Sequence, residues 1–369
     1  MRDRVLRSSG ALAVVVAVAL WVPAFVAAPT SLGSFVGVAQ ASGGGAQVPS
    51  AAAAKTAAKT WTPPRTPDGQ PDLQGYWTSL SFTPLERPAK FGTREFLTDA
   101  EAEEFYKAGV QRSYEFTFAN SAETPVYDAT VYALDAWQNG VRMNKRTSLV
   151  VDPPDGRIPS RTPEALKRAP VARGRATANA AEDGQRVAGF EGPEDLSIGV
   201  RCLTFGGPPI PAGAGYNNNT QIVQGPGYVM IEYEWGSETR IIPLDGRPHL
   251  PPNIRPWHGD PRGHWEGSTL VVETTNFRPG NTYQNANPAS LRMTERFTRI
   301  DAETIEYKYT IDDPTTWTKP WSAIIPLSRV DGPMFEYACH EGNNGAINIL
   351  EGARAQDKAA ADAQKKGSK

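Results

Sequence analysis

Short runs of alternating apolar and polar residues dominate the chain beyond residue 200, and this pattern predicts antiparallel β-strands with one buried face. In the segment TIEYKYTID, Tyr307 and Tyr309 share one face with the flanking isoleucines, and charged or polar residues occupy the other. Because side chains alternate across a strand, one side of the predicted sheet is solvated. The strands predicted by this pattern are Gln221–Gln224, Tyr228–Trp235, Thr239–Leu244, Thr269–Thr275, Leu291–Ile300, Thr304–Ile311 and Ser322–Arg329.

Most of these strands are separated by short turns, so consecutive strands are expected to pair as meanders. Strands of this number bury their apolar faces by stacking two sheets or by closing one. The predicted fold class is therefore mainly β, an antiparallel sandwich or lipocalin-like barrel, with a Pro-rich N-terminal arm and peripheral N- and C-terminal helices.

Residues 61–90 contain six prolines. Proline restricts the backbone and lacks an N–H donor, so we expect an extended arm that wraps the sheet and includes a short strand at Gly75–Phe82. Thr98 and Glu101 have the spacing of a capping box, which predicts a helix over Asp99–Tyr114. The other predicted elements are a strand at Thr147–Val151, a short helix starting at Thr162-Pro163-Glu164, and a C-terminal helix beginning near Asn344.

The first 60 residues are predicted to lie outside this fold. Basic residues at positions 2, 4 and 7 precede an apolar run over residues 11–28, and Ala39-Gln40-Ala41 follows it. This order is typical of a cleaved secretory signal peptide, with an uncleaved N-terminal anchor as the alternative. A periplasmic or secreted protein is expected, with no membrane span after cleavage. The predicted division is signal peptide 1–41, low-complexity linker 42–60, Pro-rich arm with helix and wrapping segments 61–200, antiparallel β region with the start of the C-terminal helix 201–357, and polar tail 358–369.

The charge balance indicates no nucleic-acid partner. The chain has 38 Lys and Arg against 40 Asp and Glu, a net charge of −2. Cleavage of residues 1–41 removes three Arg and one Asp and moves that charge to about −4, so neither nucleic acid nor an anionic membrane surface is favoured. The oligomeric state is left open by the sequence.

The chain has two cysteines, Cys202 and Cys339. In an oxidising compartment a single pair is expected to form a disulfide, and a reactive thiol is the alternative. The sequence has no CxxC, GxSxG, GxGxxG or GxxxxGK[ST] motif. No cofactor other than a metal is therefore predicted.

The stretch WHGDPRGHWE, residues 257–266, groups ionisable side chains around glycines. If His264 and Glu266 lie on a strand, they point to the same face because the side-chain period is two. With His258, or with Asp260 from the preceding loop, they would form a metal site with nitrogen and oxygen ligands. The alternative is that GDPRG is a tight turn between strands, with Asp260 bonded to local backbone.

A second candidate site follows Cys339 in the stretch ACHEGNN. A disulfide at Cys339 would hold His340 and Glu341 in place, and a fixed histidine beside a carboxylate is what general acid–base catalysis needs. Asn343 and Asn344 would either donate hydrogen bonds to an oxyanion or cap the C-terminal helix, since asparagine is a preferred N-cap residue.

A third candidate site is built from aromatic and amide side chains. Aromatic rings beside amide donors suit sugars or flat apolar ligands in a barrel mouth or on a sheet face. The alternative is that most of these rings fill the core. The predicted ligand-binding residues are Asn217, Asn218, Trp235, Trp257, Trp265 and Asn343.

Three functions remain open on these residues. A periplasmic or secreted protein that binds a small or oligomeric, oligosaccharide-like ligand is favoured by the β scaffold and its aromatic residues. A hydrolase or lyase with a His/Glu site, with or without a metal, is the main alternative. An envelope structural or assembly component is the third.

Six motifs follow one another along residues 61–357: TPDGQPDLQGYWT, VDPPDGRIP, RCLTFGGPP, IIPLDGRPHLPPNIRPWHGDPRGHWEGSTLVVETTNF, DDPTTWTKPW and FEYACHEGN. In these motifs the chain resembles an uncharacterised family of exported bacterial proteins. The resemblance implies export and a mainly β fold. It brings no catalytic residues and no chemistry with it.

Overall fold

The computed structural model of the chain describes residues 61–119, 140–168, 190, 192–205, 207–211, 217–280 and 282–367. These residues form ten strands in one antiparallel sheet and three α-helices. The strands are β1 (Gly75–Thr78), β2 (Val150–Asp152), β3 (Asn219–Gly225), β4 (Tyr228–Tyr233), β5 (Glu238–Pro243), β6 (Asp260–Glu266), β7 (Thr269–Thr275), β8 (Arg292–Arg299), β9 (Thr304–Asp312) and β10 (Trp321–Val330). The helices are α1 (Asp99–Ala119), α2 (Pro163–Lys167) and α3 (Asn344–Gly367). The predicted signal peptide and linker lie outside the described residues.

The strands follow the order β5-β4-β3-β1-β10-β9-β8-β7-β6, and β2 pairs separately with β10. Two meanders, β3–β5 and β6–β10, make up most of this order, so the prediction that consecutive strands pair is confirmed. β1 joins the two meanders by pairing with β3 on one side and with β10 on the other. A strand from the predicted arm therefore lies in the middle of the sheet.

The mainly β class is confirmed, but the sheet is open, and the predicted closed barrel is wrong. The two edge strands, β5 and β6, approach each other without forming a ladder among the described residues. An added Cβ on Gly263 of β6 would lie 2.7 Å from Ile242 of β5 and 2.7 Å from Leu244. Pro243 and Pro261 lie on these edges and have no N–H to donate, which disfavours closure by hydrogen bonds.

The core lies against the buried face of the sheet, as the alternation predicts. In β9, Ile305, Tyr307, Tyr309 and Ile311 are all buried. Aromatic residues supply the largest buried side chains, and burial of this apolar area is the main stabilising term. Fully buried members of the core include Trp77, Phe297, Trp317 and Trp321.

One stretch for which the sequence offers a tight turn is a strand in the structure. GDPRG is not a tight turn: Asp260–Glu266 is β6, paired along its whole length with β7. The turn spans Pro256–Gly259, directly before β6. The N–H of Gly259 donates to the Pro256 carbonyl, and the φ of Gly259 is 73°. Ladder formation with β7 outweighs the local turn preference of glycine and proline.

Capping residues set the helix starts at the predicted positions. The Glu101 N–H donates to Thr98 Oγ1 (3.3 Å), and the Thr98 N–H donates to Glu101 Oε2 (2.8 Å), so the capping box of α1 is confirmed. Helix α1 runs five residues beyond the predicted end at Tyr114. Among the described residues, none of the helices has an apolar stretch of the length needed to cross a bilayer.

Cys202 and Cys339 form a disulfide with a Cα–Cα distance of 5.8 Å, as predicted. Next to it, Asn343 donates through Nδ2 to the Val200 carbonyl (2.7 Å) and accepts from the Ala346 N–H (3.3 Å). The second bond is an N-cap bond for α3. Together, the disulfide and Asn343 attach the start of α3 to the loop before β3.

Candidate functional site

A cavity of about 200 Å³ lies where β4 ends and β5 begins. Trp235, in the short turn between these strands, lines it, so we call it the Trp235 cavity. Other lining residues come from distant parts of the chain, including Ser79, the segment 207–211, residues 217–220, His258 and Tyr283. Ligand cavities are typically concave and mostly apolar with a few polar groups, and this cavity has that composition.

One wall of the Trp235 cavity is aromatic. The rings of Phe205 and Trp235 stack with centroids 5.9 Å apart and planes 27° apart. Tyr233 lies beside them, with its ring 6.1 Å from the ring of His258. Burial raises the pKa of Tyr233 to about 12, so this phenol stays neutral.

A proline-rich segment, residues 207–211, also lines the cavity. Its Pro208–Pro209 peptide bond is cis. The Ile210 N–H donates to Tyr307 Oη at 3.1 Å, and Tyr307 Oη donates to Glu295 Oε1 at 2.9 Å. The wall is therefore anchored to the interior of the sheet by buried hydrogen bonds.

A histidine–carboxylate pair lies at the edge of the cavity. His258 Nε2 is 2.5 Å from Glu238 Oε2, and each side chain is only 14% exposed. Glu238 also accepts from Thr204 Oγ1 and from the Phe205 N–H, both at 2.6 Å. These bonds hold the carboxylate in one orientation, and the carboxylate in turn orients the imidazole.

The second imidazole nitrogen, His258 Nδ1, is buried and has no hydrogen-bond partner among the described residues. It faces Gly207, because an added Cβ on Gly207 would lie 2.5 Å from it. A side chain at position 207 would therefore collide with the imidazole ring. The glycine of the GGPP segment is what allows His258 to pack beside Glu238.

Behind Tyr233 the sheet buries an ion pair. Arg240 Nη2 donates to Glu295 Oε2 at 2.6 Å and to Thr274 Oγ1 at 2.5 Å. The side chain of Arg240 is 2% exposed and that of Glu295 is 0% exposed. Burial is the largest influence on the pKa of Arg240 and would lower it, but the charges of Glu295 and Tyr233 and the hydrogen bonds to them together outweigh burial, so the pKa is raised. Burial also raises the pKa of Tyr307 well above its usual value. The network joins β5 to β7 and β8 across the curled sheet.

The structure brings three of the predicted ligand-binding residues together. Asn217, Asn218 and Trp235 all line the Trp235 cavity. Trp257 lies outside this lining and packs under the Arg278 guanidinium, 4.0 Å from its ring centroid. Two further predicted residues also lie elsewhere: Trp265 packs against the core, and Asn343 caps α3.

The three predicted metal ligands do not converge. His264 Nε2 and Glu266 Oε1 are 3.2 Å apart on the exposed face of β6, as their spacing predicts, but His258 pairs with Glu238. The four residue-to-residue steps from Asp260 to His264 alone span about 13 Å of strand. Within the part of the chain that the structure describes, no group of three His, Cys, Asp or Glu side chains is placed to hold a metal. Asp260 instead bonds His249 Nδ1 and the Leu250 N–H, each at 2.8 Å.

His340 and Glu341 are exposed and line a second cavity of about 150 Å³ beside the disulfide. Phe205 and Glu238 line both cavities. His258 lines the Trp235 cavity but not the second one, and His340 and Glu341 line the second cavity but not the Trp235 cavity. At the Trp235 cavity, the histidine that pairs with a carboxylate is His258.

Sequence reasoning missed Glu238 and Gly207 as site residues. Glu238 follows the turn signal WGS, where a polar residue at a strand start is ordinary, and Gly207 belongs to a GGPP segment with no regular structure. A usable signal was present only for Gly207, since a glycine outside a turn indicates a close approach of another group.

No protein-family model, curated protein or solved structure matches this chain. The chemistry of the site is argued from its own residues. An aromatic wall accepts flat groups, amides donate and accept hydrogen bonds, and a paired imidazole and carboxylate can bind or move a proton.

Proposed function

We propose that this chain is an exported protein that binds a small molecule in the Trp235 cavity. The observation that supports this most is the meeting of Asn217, Asn218 and Trp235, from two separate segments, in one cavity with a buried His–Glu pair. Export is supported by the Cys202–Cys339 disulfide, because such bonds persist in oxidising compartments. The predicted signal peptide is consistent with the same destination.

The anchoring around the cavity favours a preformed binding site. The disulfide holds Cys202, three residues before Phe205, and the Tyr337 ring contacts Phe205 at 5.0 Å. On the other side, the Ile210 N–H is held by Tyr307. Walls that are already ordered lose little conformational entropy when a ligand binds, which raises affinity.

Thermal unfolding of the folded chain with a panel of sugars, lipids and aromatic compounds tests the proposal. A ligand at a hundred times its Kd stabilises the native state by about 2.7 kcal/mol. Trp235→Ala should abolish that shift, and Trp257→Ala is the matched control because it removes the same side chain outside the cavity. The proposal fails if no compound shifts the parent, or if both variants respond to the ligand as the parent does.

A second candidate function is acid–base catalysis, and the 2.5 Å contact between His258 and Glu238 favours it. With Glu238 accepting from Nε2, Nδ1 would take a proton from water as the water oxygen adds to an ester carbonyl, and would return it to the leaving oxygen. Gly207 covers Nδ1 in this structure, so binding is the primary proposal.

Hydrolysis of phenyl acetate distinguishes the two candidate functions. Catalysis by the pair requires turnover that is lost in His258→Gln and retained in His249→Gln, whose imidazole contacts Asp260 outside the cavity lining. Equal rates of hydrolysis in both variants would rule out His258 as the catalytic group and would leave the binding proposal unaffected.

A further inference from the structure

We infer that the occupant of the Trp235 cavity is an uncharged compound with a single ring and a polar substituent. The inference rests on the proposed binding function and adds the chemical class of the ligand. Three independent properties of the cavity support this ligand class: its volume, the charges of its lining, and the presence of both flat apolar and amide groups in that lining.

The volume limits the ligand to about one ring. The cavity measures about 200 Å³. An apolar protein cavity of about 150 Å³ holds benzene, and sites for drug-sized ligands occupy roughly 300–1,000 Å³. One ring with a small substituent therefore fits. A disaccharide or a fatty acid would have to leave most of its length outside the cavity.

The charges of the lining favour a neutral ligand. Neither Lys nor Arg occurs among the described residues that line the cavity. Since His258 is already paired with Glu238, a ligand carboxylate or phosphate would lose its hydration without gaining an unpaired cationic partner. Glu238 already accepts from His258, Thr204 and the Phe205 N–H, so it has little capacity left for a ligand ammonium group.

The lining combines flat apolar surfaces with amide side chains. The rings of Phe205, Tyr233, Trp235 and Tyr283 line the cavity, together with the cis Pro208–Pro209 pair. Flat aromatic groups stack on such surfaces by offset or edge-to-face contacts. Asn217 and Asn218 occupy the side next to β3, where an amide can both donate to and accept from a hydroxyl group.

Four single-ring probes of nearly equal size and one larger disaccharide test each property separately. Benzyl alcohol, benzoate and benzylammonium differ in charge, toluene lacks the polar group, and cellobiose is larger. Binding is measured by isothermal titration calorimetry on the folded, oxidised chain. We expect benzyl alcohol to bind at least tenfold more tightly than benzoate and benzylammonium, and more tightly than toluene. Cellobiose is expected not to bind.

Three variants assign the binding to the cavity. Trp235→Ala should weaken benzyl alcohol binding at least tenfold, and Trp257→Ala should leave it unchanged. Asn217→Gly should remove the preference for benzyl alcohol over toluene. Glycine is the suitable replacement because the φ of Asn217 is 58°, where alanine would be strained.

The outcomes separate the ligand class from the proposed function. Binding of benzoate, benzylammonium or cellobiose that equals or exceeds that of benzyl alcohol, and that depends on Trp235, would overturn the inferred class and support a binding function. Binding that is the same in the Trp235 and Trp257 variants would overturn both. Absence of binding by every probe would overturn the inferred class, and the wider ligand panel would then decide the function.

Discussion

The buried ion pair between Arg240 and Glu295 offers the sharpest test of how the open sheet is held in its curled form. Arg240 lies in the edge strand β5, and Glu295 lies in β8, on the far side of the sheet order. Their 2.6 Å contact, with side chains 2% and 0% exposed, spans the interior between the two ends of the sheet. Each charge is therefore stable in its place only while the other is present.

Removing one partner should cost about 3–5 kcal/mol of unfolding free energy, because it leaves an unpaired charge in a buried site. In Arg240→Met, Glu295 would keep the hydrogen bond from Tyr307 but lose its counterion. In Glu295→Gln, Arg240 would keep Thr274 but lose the carboxylate. The double variant removes both charges, so we expect it to cost no more than either single change.

Urea unfolding followed by tryptophan fluorescence gives the free energies, with the disulfide kept intact in all four proteins. Equal slopes against urea are required, since a changed slope would mean a changed unfolded or native state. Additive costs in the double variant would refute the reasoning, because additivity is the behaviour of residues that do not interact. A single-variant cost below about 1 kcal/mol would refute it as well.

Three further predictions concern the disulfide, the first helix and the wall of the cavity. Cys202→Ser should lower the unfolding free energy by about 2–5 kcal/mol, because the disulfide joins residues 137 positions apart and so closes a long loop. Equal urea midpoints for variant and parent would contradict this. The hydrogen bond from Arg94 helps lower the pKa of Glu101 to about 2. Ionised Glu101 therefore stabilises the folded state above its unfolded-state pKa, and this stabilisation is lost as the pH falls through about 2. Arg94→Ala should raise this midpoint in an NMR titration, and an unchanged midpoint would contradict the assignment. Gly207→Ala should destabilise the protein by about 1–3 kcal/mol, because its Cβ would lie 2.5 Å from His258 Nδ1; an unchanged melting temperature would show that the wall can move aside.

The alternation of apolar and polar residues predicted most of the strands, because this alternation is visible in the sequence whatever the strand packs against. Thr269–Thr275 is β7 with the predicted bounds, and the buried face of β9 is the predicted one. The missed strand, β6, contains Pro261 and Gly263, residues that are typical of turns. Gly263 is needed because side chains at the end of β5 pack directly on it. That contact exists only in the folded sheet, so no local pattern could reveal it.

The same distinction explains which parts of the site the sequence could predict. Asn218 and Trp235 are brought together by the β3–β4 ladder, in which Thr220 pairs with Tyr233. Continuing that register by two residues places Asn218 opposite Trp235, so a correct hairpin prediction contains this contact. His258 and Glu238 are separated by a similar length of chain, but no ladder joins them.

The segment between β5 and β6 contains four prolines and ends in the turn at Gly259. Its path determines where His258 lies, and Glu238 is already held by Thr204 and the Phe205 N–H from the loop before β3. The His–Glu pair therefore forms only if the proline-rich segment and the disulfide-anchored loop meet at the same end of β5. Strand register predicts neither path, and this is why the sequence can bring Asn218 and Trp235 together but does not pair His258 with Glu238.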